Sequence, residues 1–425
     1  MTKKTDAAPT ESRIRGIWRA IGPGVISGAA DDDPAGIATY SIAGAQLGTA
    51  LLWTALVTWP LMAAVQSMCA RIGMVTGRGL ASALRSKFPR SVLAVACAAL
   101  FIANTVNIGA DLSGMADAME LLTHVSSHVW VIVAGALIGW ATVRLSYAAI
   151  ASTLKWLALV LFVYVGTAIH VRPDWGMVAH STFIPSLPHG RAAWATLVAI
   201  LGTTISPYLF FWQASEEVEE EKSKGRRTVR EREGASAREL GNRKIDVAAG
   251  TFFSNAVMFF IILTTALTLH KQGITAPQSS REVAEALKPL AGRFASLLYT
   301  VGLIGTGALA IPTLAGSAAY ALAETFGWPE GMDEHYAGAR GFYGVVIVSI
   351  AAGMILDFAN FNAVKALYLS SVLNGLLAPF LLLGILILAT DRKIMGGQPS
   401  SRLGEVTVAL TTVAMFGAAG AMLFF

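Results

Sequence analysis

The sequence predicts an all-α integral membrane protein with about eleven transmembrane helices, two of them discontinuous. Three observations lead there. Of 425 residues, 54% are hydrophobic and 14% charged, and the mean hydropathy is +0.58, values foreign to a soluble globular chain. Apolar stretches long enough to cross a bilayer recur throughout, centred near Ala29, Trp59, Asn104, Gly135, Val160, Ile205, Met258, Gly307, Val348, Leu376 and Ala414. The first and the sixth of these carry proline and polar groups at membrane depth, where unwound backbone is tolerated only against protein or a polar cavity.

Taken in order, residues 1–16 form a polar tail containing Lys3, Lys4, Arg13 and Arg15. It lacks the charged start, short apolar core and small-residue cleavage site of a signal peptide, so the first span is expected to be retained. That span holds Asp31, Asp32 and Asp33, followed by Pro34, Ala35 and Gly36. A carboxylate at the bilayer centre costs at least about 2.5–3.5 kcal/mol and normally faces a cavity, an ion or a partner. Pro34 lacks a donor and Gly36 favours unwinding, so carbonyls here can become ligands. The second to fifth spans follow; Asp111 and Asp117 lie in the third, and Arg78, Arg85, Lys87 and Arg90 precede it. Cys69 and Cys97 stand in apolar runs and read as buried thiols rather than a disulfide.

The sixth span repeats the interruption, with Pro207 among the hydroxyls of Thr203, Thr204, Ser206 and Tyr208. It ends in an acidic run, Glu216, Glu217, Glu219, Glu220 and Glu221, expected to be a solvated helix end. Between Lys222 and Lys244 there are nine Lys/Arg residues, expected as a mobile loop lying on anionic headgroups. The positive-inside rule makes that loop cytoplasmic, and with eleven spans it makes the N-terminus cytoplasmic too. The seventh to tenth spans complete a second set of five, and the eleventh is an extra helix. Residues Gln278 to Arg293 read as an amphipathic surface helix. The organisation is thus a tail at 1–16 and one membrane domain at 17–425, with repeat one at about 17–171, repeat two at about 190–390 and the extra helix at about 404–424. Two broken helices at matching places in two five-span halves are the mark of inverted repeats with a binding site between the half-helices.

Other chemistries are excluded. The net charge of +5 is explained by topology, so nucleic acid is not an expected partner. No nucleophile with an adjacent base, P-loop or dinucleotide fingerprint occurs, and neither an enzymatic activity nor a cofactor is expected. His124 and His128 have the i, i+4 spacing of a helical metal site but flank Ser126 and Ser127, and read as an outer loop. The bilayer is the one certain partner, and the sequence is silent on oligomeric state.

The residues resemble the NRAMP family of metal-ion transporters, in particular its divergent prokaryotic branches. Gly22-Pro23-Gly24 and Asp33-Pro34-Ala35-Gly36 are similar to that family's first-helix signature, Gly-Pro-Gly followed by Asp-Pro-Gly-Asn. Phe252-Phe253-Ser254-Asn255-Ala256, Leu314-Ala315-Gly316 and Ala378-Pro379-Phe380 match further landmarks in the same order. The resemblance covers nearly the whole chain. It implies a LeuT-type fold with a 5+5 inverted repeat and discontinuous helices 1 and 6, a midplane site, alternating access, and residence in the cytoplasmic (inner) membrane.

Departures from the pattern bear on the substrate. Asp33 occupies the position of the metal-binding aspartate, but Gly36 stands where an asparagine ligand is usual and Ser206 where a methionine is usual. Oxygen in place of thioether sulfur shifts preference toward hard cations such as Mg²⁺ or Mn²⁺, and small residues at Ala35, Gly36, Thr203 and Ser206 suit an ion that keeps part of its hydration shell. The expected metal ligands are Asp33 and Asp32, with Ala35, Gly36, Thr203, Thr204, Ser206 and Tyr208 lining the site. Where the family carries histidines this chain has Tyr208 and Gln213, which do not titrate near neutral pH. Proton coupling therefore stays open, with Asp31, Asp111 and Asp117 as candidate carriers. An alternative substrate is citrate or a metal-citrate complex. Three carboxylates repel a bare anion, and Arg144, Lys155 and Lys365 lie near span ends, where they snorkel to the interface.

Overall fold

The computed structural model describes residues 31–146, 159–186, 190–332, 334–359 and 362–424. The tail 1–16, the Gly22-Pro23-Gly24 motif, the first part of the first span and Lys155 lie outside the described residues. Within them the chain is helical, with no strand. In chain order come α1 (Pro34–Leu47), α2 (Leu52–Thr76), the short α3 (Leu80–Leu84), α4 (Arg90–Thr123), α5 (Ser127–Arg144) and α6 (Phe162–His170). After α7 (Trp175–Phe183) come α8 (Arg191–Thr204) and α9 (Pro207–Ser223), the two halves of the sixth span. Next are α10 (Val229–Arg232), α11 (Ala237–Leu267), α12 (Ser280–Ala284), α13 (Lys288–Ala291), α14 (Ala295–Phe326), α15 (Arg340–Asp357), α16 (Ala363–Ala389) and α17 (Arg402–Phe424). Nine helical stretches among the described residues are long and apolar enough to cross a membrane.

Each break follows from local chemistry. Asp33 adopts an extended conformation and caps α1, its side chain accepting from Gly36 N, with Pro34 at the first helical position, where a missing N–H costs nothing. Pro207 opens α9 in the same way after the extended Ser206. Pro60, Pro312 and Pro379 lie inside α2, α14 and α16 without ending them, as packed membrane helices allow. The central α1 packs on α11, α16 and α8, while α9 packs on α2 and α14. Glycines bring backbones together: a Cβ on Gly202 of α8 would lie 2.1 Å from Ser371 O and 2.2 Å from Gly375 N of α16. Small residues at such crossings are how membrane helices associate without a hydrophobic driving force between them. Outward, Val95, Leu137, Ile355, Phe380 and Val413 expose apolar side chains, a surface suited to lipid.

Two expectations about the basic end are corrected. Residues 222–244 are not a loose loop. Thr228 and Glu231 form a capping box on α10, Gly234 N donates to Val75 O at 2.9 Å, and the buried Arg232 donates to Gly77 O at 3.2 Å and Arg227 O at 2.6 Å. The acidic end of α9 is not solvated either: Glu217 is 2% and Glu221 6% exposed. The physical reason is that each set of charges is the other's counter-ion. Arg243 of α11 reaches Glu217 at 2.7 Å, Asp246 at 2.7 Å and also Glu220, while Arg226 pairs with Glu221.

At the opposite end the expected amphipathic helix around Lys288 is split into α12 and α13 by 3₁₀ turns. His128 pairs its Nδ1 with Asp357 Oδ2 at 2.6 Å, and His124 terminates α4 in a left-handed conformation at φ 59°.

Candidate metal site at the helix breaks

The site is built where α1 and α9 begin and α8 ends. Asp33 is 2% exposed; its Oδ1 accepts from Gly36 N at 2.6 Å and its Oδ2 from Asn107 Nδ2 at 3.2 Å. The second hydrogen of the same Asn107 amide goes to Asp111 Oδ2 at 3.0 Å, and Asn107 Oδ1 accepts from Asn374 Nδ2 of α16 at 3.2 Å. One carboxamide thus ties the capping aspartate of α1 to the acid of α4 and to α16. A Cβ on Gly36 would lie 3.1 Å from Thr203 Oγ1 and 3.2 Å from Asp33 Oδ1, so the side-chain position that is usually asparagine points into the space between these two oxygens.

The three consecutive aspartates take their hydrogen bonds from different helices. Asp33 faces α4, whereas Asp31 Oδ2 and Asp32 Oδ1 both take the hydroxyl of Ser254 on α11, at 2.6 and 3.1 Å. A hydroxyl has one proton, so only one of those oxygens is satisfied at a time. Asp31 is fully buried and Asp32 is 6% exposed. Among the described residues, no three of His, Cys, Asp and Glu converge in a metal-holding arrangement.

The remaining sequence-derived residues are placed as follows. Ser206 Oγ donates back to Gly202 O at 2.8 Å and Thr203 O at 2.6 Å, closing the end of α8, and Thr204 Oγ1 donates to Ile200 O at 2.8 Å. Ser206 therefore offers lone pairs and no free proton. Ala35 lies inside the first turn of α1, and its carbonyl accepts from Ser371 Oγ at 3.4 Å. Tyr208 is wholly buried, within electrostatic range of Asp33, Asp31 and Asp111. Asp117 stands apart: its carboxylate accepts from Ser280 N at 3.0 Å, holding the start of α12.

Asn107, Ser254 and Asn374 were missing from the sequence-based set. A signal existed for Asn107, which is one helical turn before Asp111 in an apolar span and so on the same face. Ser254 stood in the Phe252–Ala256 landmark but nothing there tied it to the aspartates, and Asn374 gave no signal, because their partners come from helices hundreds of residues away.

Chemically, the region gathers Asp31, Asp32, Asp33 and Asp111 with few donors. Asp31 Oδ1, Asp111 Oδ1 and Asn374 Oδ1 are buried acceptor oxygens without a hydrogen-bond partner. Buried oxygens are normally satisfied, and buried carboxylates are normally paired or coordinate metal. Such an arrangement is equipped to take up positive charge.

The profile of the Natural resistance-associated macrophage protein-like (Nramp) family matches residues 24–425. The chain is 25% identical over 95% of its length to the Divalent metal cation transporter MntH of Deinococcus radiodurans, covering 90% of that protein. It is 26% identical over 93% of its length to MntH of Yersinia pestis, covering 92%. The crystal structure of a manganese transporter from Eremococcus coleocola superposes with a TM-score of 0.74 at 18% identity, covering 98% of this chain and 89% of that one. The nucleobase-cation-symport-1 transporter Mhp1, in a closed conformation, gives 0.57 at 15% identity, with 94% and 92% covered. The fold is therefore of the LeuT type, and the chain, a multi-pass membrane transporter rather than an enzyme, belongs to the Nramp family.

Proposed function

We propose that the chain carries a hard divalent cation, Mg²⁺ or Mn²⁺, by alternating access across the cytoplasmic membrane, with the N-terminus and the basic 222–244 segment on the cytoplasmic side. Divalent metal transport is the activity named for its MntH relatives. The observation that carries the reading is the charge imbalance at the breaks: four carboxylates, three partnerless buried acceptor oxygens, and no ion pair from any described Lys or Arg to Asp31, Asp32 or Asp33. Asp33, oriented by Asn107, holds the ion, with Thr203, Ser206 and Tyr208 around it. Asp32, with Asp31, adds charge from the Ser254 side. The surrounding groups are carboxylates, carboxamides and hydroxyls, which favour hard ions. The same imbalance speaks against citrate, a polyanion that would meet four acids and no described cation.

Uptake into liposomes tests this, with Mn²⁺ and Mg²⁺ each supplied with and without citrate and an internal pH dye reporting protons. Metal entry independent of citrate and lost in Asp33→Asn is the expected result. Citrate entry without flux of metal alone would refute the cation assignment.

A further inference from the structure

A recess away from the site lies at the basic end, on the side of the molecule where α2 packs against both α11 and α17. Here α2 forms the floor, and α11 and α17 the walls, of a cavity of about 540 Å³. Its lower walls are apolar, from Trp59, Met68 and Leu403, and its upper end carries Arg71, Lys244 and Ser400. Trp59 is fixed there, its Nε1 donating to Ala248 O at 3.2 Å and its ring set edge-on to Phe252 at 5.2 Å.

Three features at the upper end point to an anionic ligand. Lys244 is exposed and has no ion partner among the described residues. Arg71 spends one nitrogen on Pro399 O, at 3.3 Å, and no carboxylate among the described residues balances its charge. Ser400 is 9% exposed, yet its Oγ is buried without a hydrogen-bond partner, an arrangement that normally marks a missing partner. Arg243 also borders the space but is neutralised by Glu217, Glu220 and Asp246. The flanks are apolar and outward-facing: Phe252 on α11, set against Trp59, and Leu403 on α17. A ligand here meets two uncompensated cations and a hydroxyl at one end and a greasy trough opening to the hydrocarbon at the other.

We propose that this groove binds one anionic phospholipid, its phosphate at Arg71, Lys244 and Ser400 and its acyl chains along Trp59, Met68 and Leu403. A soluble phosphate would use the cations and leave the trough empty; a zwitterionic lipid would fill the trough and bring a positive group against Lys244. Only an anionic lipid matches both ends. Because α17 lies outside the ten-helix repeat and α2 and α11 touch the elements of the site, a lipid wedged between them also braces the eleventh helix on the transporter core.

The purified full-length protein in neutral detergent is titrated with dioleoylphosphatidylglycerol, dioleoylphosphatidylcholine, glycerophosphoglycerol or inorganic phosphate, and bound molecules are counted by native mass spectrometry. One phosphatidylglycerol is expected to bind in preference to phosphatidylcholine, and each charge removed in Arg71→Gln and Lys244→Gln should weaken it about fivefold. Ala63→Trp, which fills the trough and touches no charge, should abolish the preference; Arg281→Gln with Lys288→Gln at the opposite end should leave it intact. All variants are accepted only with parental melting curves, and Ala63→Trp keeps the test decisive if removal of Arg71 unfolds the chain. Equal binding of the two lipids, unaltered binding after the charge removals or the trough filling, or equal competition by glycerophosphoglycerol or phosphate would overturn the proposal.

Discussion

Asn107 shows how much one uncharged side chain can organise. Its amide hydrogens are divided between Asp33 and Asp111, and its oxygen is held by Asn374. Residues that orient a metal ligand typically cost about 10–100-fold in affinity when lost. Asn107→Ala should therefore raise the half-saturating metal concentration about tenfold or more while the protein stays folded, measured by uptake in liposomes against the melting curve. An unchanged concentration dependence would show that Asn107 does not position Asp33. A second residue-scale effect concerns Glu330, between α14 and α15. Burial, with the Glu324 carboxylate adding to it, pushes its pKa up to about 9. An acid whose folded pKa is raised costs stability once pH exceeds its unfolded value near 4.5, and that cost grows until about pH 9. Glu330→Gln should melt with the parent at pH 4.5 and a few degrees above it at pH 8.5; parallel melting curves across that range would refute this.

Among the elements, the junction of α9 and α11 concentrates the largest electrostatic debt. Arg243 is the sole described cation on Glu217, whose side chain is 2% exposed. Breaking a buried ion pair from one side typically costs about 3–5 kcal/mol, mostly from the charge left behind. Arg243→Met should lower the melting temperature markedly, and the added change Glu217→Gln should recover much of it; a double variant as unstable as the single would show that the pair is not what matters. This junction also marks where sequence reading stopped short. The acidic run and the basic run were each legible, and separately each looks like a solvated face. Their mutual neutralisation depends on α11 doubling back along α9, a tertiary fact that local composition does not carry. The breaks themselves were legible because proline, glycine and capping residues act within a few positions of their cause, as Asp33, Gly36 and Pro34 do. The grouping of the aspartates was not, since it is decided by Ser254 and Asn107 on other helices.

For the whole molecule, the all-helical, multi-pass character was readable from hydropathy, because a bilayer demands continuous apolar helices and punishes every exception. The exceptions marked the candidate site for the same reason. One consequence of the buried acids at the breaks reaches beyond binding. An empty carrier would have to turn through the membrane with uncompensated carboxylates in its interior, whereas in a loaded one the divalent ion offsets two of those charges. The loaded form should then reorient faster than the empty form, unless protons or another cation ride back in the ion's place. Equilibrium exchange of labelled for unlabelled metal across a liposome should outrun net uptake at the same concentration. Equal rates would mean that the return journey is made with the acids already neutralised, and the internal pH would say by what.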